Sequence, residues 1–110
     1  IYTGEDTLSL HDALPIYVTA PMHHAPFWMW ERDQWLREHF NAAGRQIVFT
    51  DAKFLVRGDM LVDDKASNVI QWQSQNPKKK GILWERPCNH DAKVRYRAHS
   101  WDAILEWFSE

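Results

Sequence analysis

The sequence predicts an α/β domain built on a parallel sheet. Two observations carry this expectation. Short runs that are apolar on consecutive positions recur along the chain, as strands covered on both faces require. Between them lie stretches with the apolar spacing of helices. Strands alternating with helices imply a parallel sheet with right-handed crossovers.

The runs are Ile16-Tyr17-Val18-Thr19, Ile47-Val48-Phe49-Thr50, Met60-Leu61-Val62-Asp63 and Gly81-Ile82-Leu83-Trp84. The first three end in a polar residue, where the C-terminal edge of a parallel sheet would lie. A first helix is expected over Phe27 to Ala43, begun by Pro26 and stopped by Gly44. Met29, Leu36 and Phe40 make its stripe, with Trp28 and Trp35 beside it. A shorter helix is expected over Ala66 to Gln75, ended by Pro77. Ser100 suits the N-cap of a last helix, in which Trp101, Ile104, Leu105 and Phe108 follow i, i+3, i+4, i+7 spacing.

Composition bounds the function classes. The 110 residues make room for one small domain, and 45% hydrophobic with 25% charged residues argues against global disorder. A net charge of −2 disfavours nucleic-acid binding by bulk electrostatics. The single cysteine, Cys88, excludes a disulfide framework and a multi-cysteine zinc site. No apolar run approaches the ~20 residues that span a bilayer, and no signal-peptide pattern is read.

Residues 1–16, IYTGEDTLSLHDALPI, fit this scheme badly. Leu8, Leu10, Leu14 and Ile16 keep no helical or strand period. The segment resembles a translated short-read sequencing adapter, and it is set aside from the fold as a non-native artefact. Its alternative is a natural N-terminal arm. It holds Glu5, Asp6 and Asp12, three of the 15 acidic residues, and none of the 13 basic ones. The remainder, 17–110, therefore carries 13 basic against 12 acidic residues, a charge of +1. A read boundary at Tyr17 leads us to expect natural sequence upstream of it.

In a parallel α/β sheet, ligands bind beyond the carboxyl ends of the strands. That edge would display Thr19, Thr50 and the pair Asp63-Asp64. Thr19 offers a hydroxyl, with following backbone N–H groups, to a phosphoryl oxygen; its bland reading is a strand-end turn before Pro21. Adjacent acids at the end of a buried strand repel each other, and a hard cation such as Mg²⁺ offsets that cost. Their bland reading is a helix-start acid beside a solvated loop. Lys53, just after the second strand, is suited to neutralising phosphate charge, or is simply a solvated surface lysine.

Thr19, Lys53 and Asp63-Asp64, in this order and each placed by a strand, resemble the second, third and fourth motifs of the haloacid dehalogenase (HAD) superfamily of phosphatases. The closer resemblance is to the 5′-nucleotidases of the deoxyribonucleotidase (cytosolic type C) family. It rests on Gln46-Ile47-Val48-Phe49-Thr50, on Lys53, and on Asp59-Met60-Leu61-Val62-Asp63-Asp64. Gly81-Ile82-Leu83-Trp84 with Arg86-Pro87-Cys88-Asn89, and the helix start His99-Ser100-Trp101, are also similar. It covers essentially all of 17–110, which it identifies as the C-terminal part of a HAD-like phosphatase core.

The resemblance implies a HAD-like Rossmannoid three-layer fold and Mg²⁺-dependent hydrolysis of a phosphomonoester, a (deoxy)nucleoside monophosphate. It makes Thr19 and Lys53 the groups that bind and stabilise the transferring phosphoryl. Asp64 becomes a Mg²⁺ ligand and Asp63 a support for the metal shell. Ala20 stands on the substrate side, where family members often carry Ser, so one substrate hydrogen bond is absent. The reaction would be two in-line displacements through an aspartyl-phosphate. A cytoplasmic location, no nucleic-acid or membrane partner, and a homodimer for the intact parent also follow from the resemblance.

One departure bears on activity. The family's nucleophile is the first Asp of an Asp-x-Asp motif on a central strand, and no Asp-x-Asp occurs in the 110 residues. Asp6 and Asp12 lie in the opening segment, with no strand before them. Catalysis is therefore not expected. The sheet should lack its central first strand and the fold its cap. The strands should then either leave a gap or close up, with 17–19 near 60–63.

The other reading is a small receiver-like α/β binding or regulatory domain without catalysis. That class needs its acidic pair near the start and its lysine near the end; here Lys53 precedes Asp63-Asp64. His23, His24, His39, His90 and His99 show no i, i+4 ligand pair and read as solvated or loop residues. Cys88 reads as a packed or loop thiol, and Lys78-Lys79-Lys80 as a solvated turn. The tryptophans on helix patterns read as core or covering residues, with Trp28 or Trp30 as candidates for stacking on a base.

Overall fold

The computed structural model describes residues 15–109. The expectations for the opening segment, including Asp6 and Asp12, lie outside them, apart from Pro15 and Ile16. The described chain divides into two compact units, 15–53 and 54–109.

The first unit holds β1 (Tyr17–Thr19), α1 (Trp28–Phe40) and β2 (Ile47–Phe49). β1 and β2 are parallel, with Tyr17 opposite Ile47 and Thr19 opposite Phe49. The crossover that α1 supplies is what a parallel pair demands. Rings hold the helix to the sheet: Trp28 meets Phe49 edge-on at 5.3 Å, and Tyr17 lies 5.6 Å from Phe40. Gln46 Nε2 donates to the Pro15 carbonyl at 3.1 Å, and its Oε1 accepts the Ala43 N–H at 2.8 Å.

α1 differs from its expectation at its end and on its face. It stops at Asn41, which adopts the left-handed conformation (φ 53°), with Gly44 opening a separate 3₁₀ turn (Gly44–Gln46). Asn tolerates φ > 0 better than most residues, so the helix ends before the glycine. Of the expected stripe only Leu36 is buried; Met29 and Phe40 are about half exposed, at 49% and 51%.

The second unit holds β3 (Met60–Asp63), α2 (Ala66–Gln75), β4 (Lys80–Trp84), β5 (Tyr96–Ala98) and α3 (Trp101–Ser109). Its sheet has the order β3-β4-β5, parallel throughout. Successive residues of β4 point to opposite faces. Ile82 joins a core with Met60, Ala98, Ile104 and Phe108, which brings α3 to that face. A Cβ on Gly81 would stand 3.3 Å from the Val69 carbonyl oxygen, so the other face carries α2. The unit is thus a small helix–sheet–helix sandwich, in agreement with the three-layer expectation.

β3 and α2 match their expected bounds residue for residue, and Ser100 Oγ accepts the Ala103 N–H at 3.3 Å as the cap of α3. β5 was not anticipated. Lys80 also belongs to β4, so the lysine run is only partly a turn. Among the described residues the strands form two separate sheets, β1-β2 and β3-β4-β5, rather than one continuous sheet.

Candidate functional site

In the first unit the parallel pair ends with its two carboxyl termini side by side. The Thr50 N–H donates to the Thr19 carbonyl at 3.0 Å, extending the ladder one step beyond β2. Thr50 Oγ1 accepts the Ala52 N–H at 2.9 Å, which turns the chain towards Lys53. Lys53 opens the 3₁₀ turn Lys53–Leu55 and is half-buried. Thr19 is half-buried and Ala20 exposed. Thr19 thus ends β1, Ala20 follows it, and Lys53 lies shortly after the carboxyl end of β2. His23 Nε2 approaches Asp51 Oδ2 at 3.5 Å with both side chains largely exposed, a weak contact.

In the second unit Asp63 is the last residue of β3. Its Oδ1 accepts the Lys65 N–H at 2.9 Å and its Oδ2 accepts Asn68 Nδ2 at 3.1 Å. Both oxygens are therefore engaged in starting α2, whose first N–H groups have no partner inside the helix. The Asp64 side chain is 58% exposed, and its Oδ2 lies 3.8 Å from Arg86 Nε. The two acids, adjacent in sequence, differ in use: one is tied to the fold, the other is presented.

Asn89 is the buried polar residue among the described positions, at 7% exposure. Its Nδ2 donates to the Asp64 carbonyl at 2.7 Å and to the Trp84 carbonyl at 2.9 Å, and its Oδ1 accepts the Arg86 N–H at 2.8 Å. Arg97 braces the same loop, with Nη1 3.4 Å from Glu85 Oε1 and 3.3 Å from the Asn89 carbonyl, and Nη2 on the Ala92 carbonyl. Neither residue was singled out as functional from the sequence. The available signal was an Asn closing a turn that Pro87 begins, directly after an apolar strand.

The donor set can be weighed against a divalent cation. Mg²⁺ keeps several waters and takes one or two carboxylates together with substrate phosphate. A presented Asp64 beside a fully hydrogen-bonded Asp63 fits that demand in kind. Among the described residues no group of three or more His, Cys, Asp or Glu side chains gathers into an all-protein cage. The histidines form no such group, and Cys88 is exposed. Trp72 is buried, whereas Trp30, Trp35 and Trp101 are exposed at 65%, 46% and 49%. No helix among the described residues is long and apolar enough to cross a membrane.

No curated protein matches the chain. A family model does: 5′ nucleotidase, deoxy (pyrimidine), cytosolic type C protein, over residues 7–108. The match begins inside the opening segment and takes in every strand and helix described above except the last residue of α3, and with them Thr19, Lys53 and Asp63-Asp64. The all-parallel strands with intervening helices agree with that family's HAD-like fold, and the chain belongs to the cytosolic type C 5′-nucleotidase family.

Proposed function

We propose that the substrate class is a (deoxy)nucleoside 5′-monophosphate, and that these 110 residues bind its phosphate without hydrolysing it. Family membership supports a 5′-nucleotidase-type function. The observation that carries the rest is the pair of strand-end edges, each bearing residues of the type phosphoryl transfer uses. Thr19 binds a phosphoryl oxygen through its hydroxyl. Lys53 offsets the charge on the equatorial oxygens. Ala20 offers its backbone N–H but no hydroxyl.

Asp64 would hold Mg²⁺, with Asp63 supporting it by fixing the chain between β3 and α2. A nucleophile is what the chain does not supply, since it holds no Asp-x-Asp. Residues 17–110 then act as the supporting portion of a HAD-like core. A cytoplasmic setting and a homodimer for the intact parent belong to the same reading.

The test is a titration of the chain with dUMP in Mg²⁺, followed by calorimetry, with free phosphate measured in parallel. Binding that weakens about tenfold on Lys53→Met, and falls again on Thr19→Val, is expected. No phosphate release is expected. Absence of binding overturns the substrate assignment. Mg²⁺-dependent phosphate release that disappears on Lys53→Ala overturns the assignment of inactivity.

A further inference from the structure

β3 and β4 pair up to Asp63 opposite Leu83, and there the ladder ends. The next residue on each strand, Asp64 and Trp84, turns its carbonyl to one side chain, the amide of Asn89. The third bond of that amide holds the N–H of Arg86, whose guanidinium stands 3.8 Å from the Asp64 carboxylate. The backbone of Asn89 is fixed as well. Its N–H donates to the Arg86 carbonyl at 3.1 Å, and its carbonyl accepts from the Ala92 N–H at 3.0 Å and from Arg97.

We propose that Asn89 is the positioning residue of this edge: it sets the main chain of Asp64 and of Arg86, and thereby how the Asp64 carboxylate is presented to a divalent cation. The inference rests on the reading of Asp64 as a metal ligand.

The chemistry requires a carboxamide. Two carbonyls need two donors, and an N–H needs an acceptor, all from one short side chain. Asp would set acceptor against acceptor at both carbonyls. Leu would leave three backbone groups without this partner in a place only 7% exposed. Groups that orient a ligand without touching the metal commonly change metal affinity by an order of magnitude or more.

The experiment uses the full chain and Mn²⁺ as the probe, followed by water-proton relaxation. Wild type is compared with Asn89→Ala, Asn89→Ser, Asp64→Asn and Ile104→Val. Asp64→Asn should remove the binding. Asn89→Ala should weaken it about tenfold, and Asn89→Ser, which keeps one hydroxyl, by less. Ile104→Val thins the buried α3 core and should lower the melting temperature while leaving Mn²⁺ affinity unchanged. That control separates positioning from general destabilisation.

If Asn89→Ala fails to fold, Asn89→Ser decides on the same scale. Folded Asn89 variants that bind Mn²⁺ as wild type does, while Asp64→Asn does not, overturn the inference alone. Wild-type binding that is absent, or indifferent to Asp64→Asn, overturns the metal reading and the inference with it.

Discussion

Asn68 donates its side-chain N–H to Asp63 Oδ2 at 3.1 Å, across one turn at the start of α2. The other carboxylate oxygen accepts the Lys65 N–H. Asp63 thereby does the work of a helix cap from two residues before the N-cap position, Lys65, whose own side chain makes no capping bond. Asp63→Ala should lower stability by about 1–2 kcal/mol, as loss of a capping acceptor does. Asn68→Ala should cost less, about 0.5–1.5 kcal/mol. Urea unfolding followed by far-ultraviolet circular dichroism gives both values.

Asn41 is the described non-glycine residue with positive φ. Asn41→Gly should leave stability unchanged or raise it by up to about 1 kcal/mol, because glycine meets no Cβ penalty there. Asn41→Val should lower it by about 1–2 kcal/mol. A lower melting temperature for Asn41→Val, with an equal or higher one for Asn41→Gly, is the expected result.

Trp72 is 1% exposed, and its Nε1–H donates to the Val56 carbonyl at 3.0 Å. Trp72→Phe keeps most of the packed ring but strands that carbonyl, at a cost of about 1–3 kcal/mol. Trp72→Ala should cost about 3–5 kcal/mol and abolish cooperative unfolding of residues 54–109. Thermal melts read by tryptophan fluorescence and by circular dichroism would distinguish these outcomes.

Gly81 lies against α2, where an added Cβ would meet the Val69 carbonyl oxygen at 3.3 Å and Val69 Cγ1 at 3.4 Å. Gly81→Ala is expected to cost about 1 kcal/mol as the helix shifts outward by a few tenths of an ångström, and Gly81→Val about 2–3 kcal/mol. Equal stability for all three chains would show that α2 and β4 are not in close contact.

Four of the five described strands, β1, β2, β3 and β5, are edge strands. Edges template association with other chains. Sedimentation velocity should show concentration-dependent association, and the thermal transition should be broad. A sharp melt that does not change with concentration would contradict this. Arg95 and Arg97 flank Tyr96 on β5, and charged side chains protect an edge. Replacing the exposed Arg95 with Thr, which leaves the Arg97 contacts in place, should lower the concentration at which association begins.

Much of this architecture was legible because it follows from local pattern. Met60 to Asp63 is a consecutive apolar run closed by an acid, and Ala66 to Gln75 is bounded by Pro77, so both elements fell where expected. β5 escaped because its signal is of another kind. Val94-Arg95-Tyr96-Arg97-Ala98 alternates with period two, the mark of a strand whose two faces differ, whereas the other strands are apolar on consecutive positions. α1 ended early because a local Asn, not the more distant Gly44, took the left-handed position. Thr19, Lys53 and Asp63-Asp64 were legible as polar residues at or beyond the ends of apolar strands. Asn89 was not, because its role depends on Asp64, 25 residues away in sequence, and no local pattern records that contact.

β4 alone among the described strands has a neighbour on each side, and Gly81, Ile82 and Leu83 along it are buried. The Gly81 N–H is held by Gln73 Oε1 at 2.9 Å, and the amides of Ile82 and Leu83 lie buried inside the sheet, so their release needs a larger opening than that of an edge strand. In native-state hydrogen exchange, Ile82 and Leu83 would report the global opening of residues 54–109, and β5 would exchange first. A ligand that shifted the exchange of Ile82 would be acting on the whole unit, and one that shifted only Tyr96 would be acting on its margin.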